Sequence, residues 1–363
     1  MNVSRILICP LNWGIGHASR CIPVIRALLD EGAEIIIAAE GRPLVLLQKE
    51  FPQLETIVFK GYNPRYPSFG SMAWKMFLTM FPILIGIWKE HRRLRKIIRD
   101  YKINAVISDN RFGLWTRKVP CVYITHQLMI KAPWHLKLTE PFLHIFHRFF
   151  INRYDRCWVP DLVGDENLSG HLSHLYPIPA HAEFIGPLSR FKPQKQTTFE
   201  ENLILAIVSG PEPQRTIFEQ ILIKQLTAYN QPAVLLSGIT EDDTMEQHDN
   251  LTIYAHLETE KLEQLIQKAS FVICRSGYST IMDLSVLKKK AVFIPTPGQT
   301  EQEYLAEYLS EKGWFYTISQ LELKAGIPLI SDKPHWPDGI IAQSSILLTK
   351  ALEELLEKHH NKG

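Results

Sequence analysis

Two kinds of hydrophobic pattern alternate along the chain. Short runs in which nearly every residue is apolar (Ile6–Cys9, Glu34–Ala39, Ile57–Phe59, Ala105–Ser108, Val122–Thr125) are separated by segments with apolar residues three or four apart (Ala18–Glu31, Pro43–Glu50, Met72–Tyr101). An apolar run without alternation predicts a strand covered on both faces, and a period near 3.6 predicts the helix that covers it. The alternation weakens between Lys131 and Tyr154, where aromatics and histidines crowd segments such as PFLHIFHRFF, and returns at Arg156–Val159 and Glu183–Ile185. The polar stretch FKPQKQTTFEEN, 191–202, then predicts a linker.

A second series follows. Strands are predicted at Leu203–Val208, Ala233–Ser237, Thr252–Tyr254, Phe271–Cys274 and Ala291–Pro295, with helices at Thr216–Tyr229, Glu258–Lys268, Ser279–Leu287 and Gln302–Lys312. The fold class is therefore α/β, with two doubly wound, Rossmann-like parallel-sheet domains facing across a cleft. The first domain is expected over residues 1–190 and the second over 203–338. A last helix, within 339–363, is long enough to reach back over the first domain. A length of 363 residues suits two such cores.

Charge and cysteine content narrow the class further. Forty Lys and Arg against 38 Asp and Glu leave a net charge of +2, so no global basicity recruits nucleic acid. The five cysteines form no Cys-x-x-Cys pair and suit packing roles in a reducing compartment. The chain enters an apolar strand without a basic leader, which predicts a cytoplasmic protein. Met76–Trp88 is apolar but too short to span a bilayer, which takes about 20 residues. Because KEHRRLRKIIRDYK follows it, two readings stand: an amphipathic helix packed on the sheet, or peripheral contact with the inner face of the membrane.

In an open α/β sheet the ligand lies off the carboxyl ends of the strands, where loops lead into helix starts. GIGHASR stands at such a place, with Gly14 and Gly16 permitting close approach and His17 at the cleft mouth. Asp109, in VISDNRFG, follows a strand toward the same opening. No Asp-x-Asp triplet occurs, and His144/His147 and His171/His174 lack carboxylate or cysteine partners, so these histidines read as packing or surface residues and no metal is expected. The first helix start lacks a full G-x-G-x-x-G, which argues against a nicotinamide dinucleotide.

The stretch FVICRSGYSTIMDLSVLKKKAVFIPTPGQTEQEYLAE, together with GIGHASR, IGPLSR and VSGPEPQR in that order, resembles the GT-B glycosyltransferases of family 28 over nearly the whole chain. The resemblance implies an inverting, metal-independent transfer from a nucleotide diphospho-sugar, expected to be a UDP-sugar, to a lipid-linked or glycan acceptor, without a cofactor. It implies donor contacts from Arg190 to the diphosphate, from the Ser276–Gly277 turn, from Ser279 and Thr280 at a helix start, and from Asp283 to the ribose. Gln299, Gln302 and Glu303 would meet the transferred sugar, and the backbone around Ala255 and His256 the nucleobase. Ser209 and Gly210 would face the cleft, although Pro211, Glu212 and Pro213 replace the relatives' glycine-rich turn and Glu212 would repel a diphosphate. On the acceptor side it implies Gly14, Gly16, His126 and Gln127, with His17 as base and Asp109 orienting or replacing it. Hydrolases that pass the sugar to water share Gly-x-Gly-His-x-x-Arg and are the alternative; a non-catalytic binder of the same fold is a third.

Overall fold

The computed structural model describes residues 4–61, 72–192, 203–229, 231–328, 330 and 339–360. The first sheet is built from β1 (Arg5–Pro10), β2 (Glu34–Ala39), β3 (Glu55–Val58), β4 (Ala105–Asp109), β5 (Cys121–Ile124), β6 (Arg156–Val159) and β7 (Ala182–Phe184). Its strand order is 3-2-1-4-5-6-7 and every pairing is parallel. Helices α1 (Ile15–Asp30), α2 (Gly41–Glu50) and α3 (Met72–Asp100) follow the first three strands. They cover continuous apolar strands such as Ile6–Cys9, all four residues of which have no exposed surface. In the segment where the hydrophobic pattern faded, the chain forms a 3₁₀ turn, Trp134–Thr139, and α4 (Glu140–Ile151), then a single-turn α5 (His171–His174) before β7.

The second sheet repeats this plan with β8 (Ile204–Ile207), β9 (Ala233–Leu236), β10 (Met245–His248), β11 (Leu251–Tyr254), β12 (Phe271–Cys274), β13 (Ala291–Phe293) and β14 (Tyr316–Thr317), in the order 10-11-9-8-12-13-14. Its helices are α6 (Gln214–Thr227), α7 (Thr259–Lys268), α8 (Tyr278–Val286), α9 (Thr300–Glu311) and α10 (Gln320–Ala325). The edge strand β10 runs antiparallel to β11. It was not predicted because MEQH is polar and wholly exposed, which leaves no burial pattern to read. Most of the expected linker, 193–202, lies outside the described residues.

One apolar core runs through both halves. Ile22 and Ile25 of α1, Tyr278, Ile281 and Met282 of α8, and Ala351, Leu352 and Leu355 of α11 (Gly339–His360) belong to the same buried cluster. Glu354 of α11 also accepts from Arg156 at 2.7 Å, so the last helix is tied to the first sheet. All five cysteines are free and buried.

Candidate active site between the two sheets

The carboxyl ends of β1, β4 and β5 carry a chain of polar side chains. Gly14 begins α1 with φ +121°, a conformation that favours glycine, and turns the backbone out of β1 so that His17 and Arg20 lie on one helix face. At the end of β4, Asp109 is fully buried and accepts from Arg20 Nε at 2.6 Å and from Arg20 Nη2. His17 Nδ1 lies 3.1 Å from Asp109 Oδ1 and 2.8 Å from Arg20 Nη2. Arg20 Nη1 is 3.0 Å from Nδ1 of His126, whose Nε2 is 2.8 Å from Oε1 of Glu301 on α9. The series Asp109–Arg20–His126–Glu301 thus passes from the first sheet into the second half of the molecule.

Proton positions follow from what each group can do. A guanidinium only donates and a carboxylate only accepts. His126 therefore accepts at Nδ1 from Arg20 and donates from Nε2 to Glu301, which makes it a neutral imidazole. Burial, the largest influence, also lowers its pKa. Burial pushes the Asp109 carboxyl up, yet the adjacent Arg20 and His17 outweigh it and hold the pKa at about 2. His17, with 18 % of its side chain exposed, and Glu301, with 27 %, are the members of this group that reach the surface. Asp109, with none, lies behind His17 within hydrogen-bond reach of its Nδ1.

Gly16 meets the second half directly. Ser279 Oγ donates to Gly16 O at 2.8 Å, and a Cβ at Gly16 would stand 3.0 Å from that hydroxyl. The Gly16 requirement here is close approach between the halves. Next to this contact the Tyr278 ring stacks on His126, with centroids 4.1 Å apart and planes 5° from parallel. The start of α8 is thereby held against GIGHASR. Its N-cap, Gly277, supplies no capping side chain, so the first-turn N–H groups are left without intrahelical partners.

Several residues expected to face a donor are engaged within the protein instead. Ser276 is buried and donates to Gln302 O at 2.8 Å, pinning the turn to α9. Asp283 accepts from Ser189 Oγ at 2.8 Å and from the backbone N–H and Nε of Arg190, both at 3.2 Å, so the two expected donor ligands hold each other. Gln302 Oε1 accepts from Thr296 N, and Glu303 Oε1 from Gly298 N; both shape the Pro-rich loop. The Ala255 backbone donates to Thr244 O and accepts from Ile239 N, an arrangement created by the unpredicted segment leading into β10. His126, expected among acceptor ligands, is buried in the polar series, and Gln127 Nα donates to Thr125 Oγ1.

Other expected positions remain directed at the sheet ends. Gly210 adopts φ +112° and is exposed, Ser209 and Thr280 are half-buried, and the space beside Gly277 is open. Glu212 turns to Arg215 Nε at 2.6 Å and to Thr216, which directs its charge to its own helix start. Thr296 Oγ1 and Gln299 Oε1 are buried polar atoms without hydrogen-bond partners near this loop.

Residues 207–328 match the model of the glycosyltransferase family 28 C-terminal domain. An uncharacterized glycosyltransferase of Methanosarcina mazei is 23 % identical over 99 % of both chains. A UDP-N-acetylglucosamine–N-acetylmuramyl-(pentapeptide) pyrophosphoryl-undecaprenol N-acetylglucosamine transferase of Gloeothece citriformis is 22 % identical over 88 % of this chain and 83 % of its own. The chain is a glycosyltransferase that carries a family 28 C-terminal domain and resembles that family over its length. Its fold is GT-B: the glycosyltransferase SnogD from Streptomyces nogalater superimposes with a TM-score of 0.61 at 12 % identity, covering 99 % of this chain and all of its own.

Two residues of this glycosyltransferase's polar series were assigned no role from the sequence, although Arg20 belongs to the GIGHASR motif and Glu301 stands beside the Pro-rich loop expected at the cleft. Arg20 was legible in principle: it lies three residues after His17 in GHASR, on the same helix face. Glu301 was not, because its partner His126 is 175 positions away. A buried Arg111–Glu90 pair, at 2.7 Å beside the end of β4, is a further cluster that long-range packing alone assembles.

Proposed function

We propose that this glycosyltransferase transfers a sugar, with inversion and without a metal, from a nucleotide diphospho-sugar of the UDP type to a lipid-linked or glycan acceptor. The observation that carries this reading is the placement of His17, hydrogen-bonded by buried Asp109 and partly exposed, against the uncapped start of α8 across the Gly16–Ser279 contact. A helix start favours anionic oxygens, so the departing diphosphate belongs there, with Thr280 beside it and Arg190 drawn from Asp283 as charge develops. Ser209, Gly210, Gly277 and Thr280 face the donor. The unpartnered Thr296 and Gln299 oxygens suit hydroxyls of the sugar. His17 Nε2 takes the acceptor proton as the acceptor oxygen bonds to the anomeric carbon, and the bond pair to the leaving oxygen goes to the diphosphate.

The acceptor side fits a molecule at a membrane. Along α4, Phe142, Ile145 and Phe149 share one exposed face, and Leu138, just before the helix, is 91 % exposed. Leu84, Ile85 and Trp88 of α3 are also exposed. The two helices meet at Trp115, which packs on His91 of α3 and under Arg153 beside α4; Arg153 also covers Phe149. An apolar surface bordered by Arg92, Arg93, Arg148 and Arg153 suits the anionic inner face of a membrane. The side chains of residues 72–81, part of the expected apolar run, lie outside the described residues. No helix among the described residues is long and apolar enough to cross a membrane.

The test is calorimetry against UDP-, GDP-, dTDP- and CMP-sugars, followed by turnover with and without lipid-linked acceptors. UDP-sugar binding with acceptor-dependent nucleotide release supports the proposal. Rapid release with water alone supports the hydrolase alternative, and binding without turnover by any acceptor overturns the enzymatic reading.

A further inference from the structure

The buried arginines of this protein are of two kinds. Arg20 and Arg111 each hold a buried carboxylate, Asp109 and Glu90 respectively. Arg275, the residue after β12, is also fully buried, yet no carboxylate among the described residues pairs with it. Its hydrogen bonds go to neutral oxygens: Nη1 donates to Ile294 O at 3.0 Å and Pro295 O at 3.1 Å, and Nη2 to Gln214 O at 3.3 Å and Gln320 Oε1 at 2.7 Å. The guanidinium carbon lies 3.9 Å from the centroid of the Phe218 ring. Nε is buried without a hydrogen-bond partner, as are Gln214 Oε1 and Thr296 Oγ1 beside the backbone groups that Arg275 holds. Burial lowers the pKa of Arg275 to about 10, which still leaves a cation at neutral pH.

A buried cation is costly unless a countercharge or well-placed dipoles answer it. Carbonyl oxygens and a ring face supply part of that answer, and a full positive charge remains. Its place in the fold gives it a use. Along β12, Val272 and Cys274 enter the core shared with α8, and Phe271 and Ile273 the core shared with α6, so Arg275 falls on the α6 side. There it holds the start of α6, which follows the loop carrying Ser209 and Gly210, and the beginning of the Pro-rich loop. The two loops are neighbours, since a Cβ at Gly210 would stand 3.9 Å from Thr296 Oγ1. Gly277, the N-cap of α8, is two residues further along the chain, at most about 7 Å away between Cα atoms. Glu212, the carboxylate on the first loop, is held by Arg215 and Thr216. The unpaired charge thus lies under the backbone surfaces that face the donor.

We propose that Arg275 is a positioning residue of the donor site, whose charge, left without a carboxylate, supplies a standing positive field that holds the donor diphosphate over the two loops and the α8 start. It acts without touching the ligand, because it has no exposed surface. Burial keeps salt from screening it, so its attraction for an anion several ångströms away is stronger than that of a surface cation. This rests on the reading of the second half as the donor site.

Gln320 provides the decisive test. Gln320→Glu keeps an oxygen to accept from Arg275 Nη2 and supplies the missing countercharge at the first turn of α10, where a carboxylate suits the helix. Thermal unfolding of this variant is expected at or above the wild-type temperature. Its affinity for UDP, by competition calorimetry, should fall about tenfold while its affinity for uridine stays within about twofold. Arg275→Gln should likewise cut the UDP-to-uridine affinity ratio about tenfold, and Arg275→Lys should keep that ratio within about threefold. A residue that merely braced the loops would shift UDP and uridine together and would be indifferent to Gln320→Glu, which keeps the bond. An unchanged ratio in Gln320→Glu, equal losses for UDP and uridine, or Arg275→Lys as poor as Arg275→Gln overturns the proposal. Should Arg275→Gln fail to fold, Gln320→Glu decides alone. The donor reading is judged on wild type: if UDP binds no more tightly than uridine, that reading falls and the proposal with it, whereas tight UDP binding with an unchanged ratio in the variants sinks the proposal only.

Discussion

The two halves of this glycosyltransferase share a parallel core order, β3-β2-β1-β4-β5-β6 in one and β11-β9-β8-β12-β13-β14 in the other, but furnish the ends of their strands differently. At the first sheet, Asp109, Arg20, His17 and His126 form a buried ionic series from which one imidazole emerges. At the second, the polar side chains mostly brace their own loops: Ser276 on α9, Gln302 on Thr296 and Glu303 on Gly298. What the second half turns to the cleft is largely backbone, at Gly210, Gly277 and the start of α8. The contrast follows from the chemistry proposed for each. Proton transfer needs a titrating side chain held in one orientation, whereas an anionic leaving group is met by N–H groups and a helix dipole that carry no proton to lose.

The comparison breaks most sharply at His17. His17→Ala should reduce transfer by about a hundredfold or more, the usual worth of a general base, while calorimetric donor affinity stays within about twofold. Equal loss of donor binding would erase the division of labour.

Asp109→Asn tests the buried half of the contrast. It leaves Arg20 without its countercharge, and breaking such a pair costs about 3–5 kcal/mol, readable by urea unfolding. The pH dependence has a definite sign. The folded pKa of Asp109 lies below the ordinary value of 3.8, at about 2. Its contribution is therefore present above about pH 4 and is lost as pH falls toward 2, an effect of about 2 kcal/mol. Asp109→Asn should flatten that acid limb.

On the donor side, Arg190→Ala should weaken UDP-sugar binding about tenfold by calorimetry, with little change in the acid limb. At the outer surface, replacing Phe142, Ile145 and Phe149 by Ser should weaken sedimentation with anionic vesicles several-fold. Because these side chains are exposed, stability should move by no more than about 0.5 kcal/mol. The smallest effect belongs to Ser279→Ala: one hydrogen bond between the halves, worth about 1 kcal/mol in thermal unfolding.

Much of the fold was written locally. Ile6–Cys9 and Phe271–Cys274 announce buried parallel strands by continuous apolarity, and α3 by its period; the order of such segments then implies two doubly wound sheets. His17 beside Gly14 and Gly16 was likewise legible, because a glycine-broken strand end with a histidine is a local arrangement. Strand β10 was not, being polar on both faces, nor was the sealing of the Ala255 backbone by the segment before it.

What the sequence by itself determined is most of the elements, the two-sheet plan and the strand ends at which chemistry could gather, since periodicity and glycine placement act within a few residues. Only the tertiary structure decided that Asp283 holds Arg190, that Ser279 holds Gly16, and that Glu301 reaches His126 across 175 positions. Hydrogen bonds and ion pairs are made at about 3 Å between atoms whose separation along the chain leaves no periodic trace, so the partner of a polar side chain is known only once the sheets have been brought face to face.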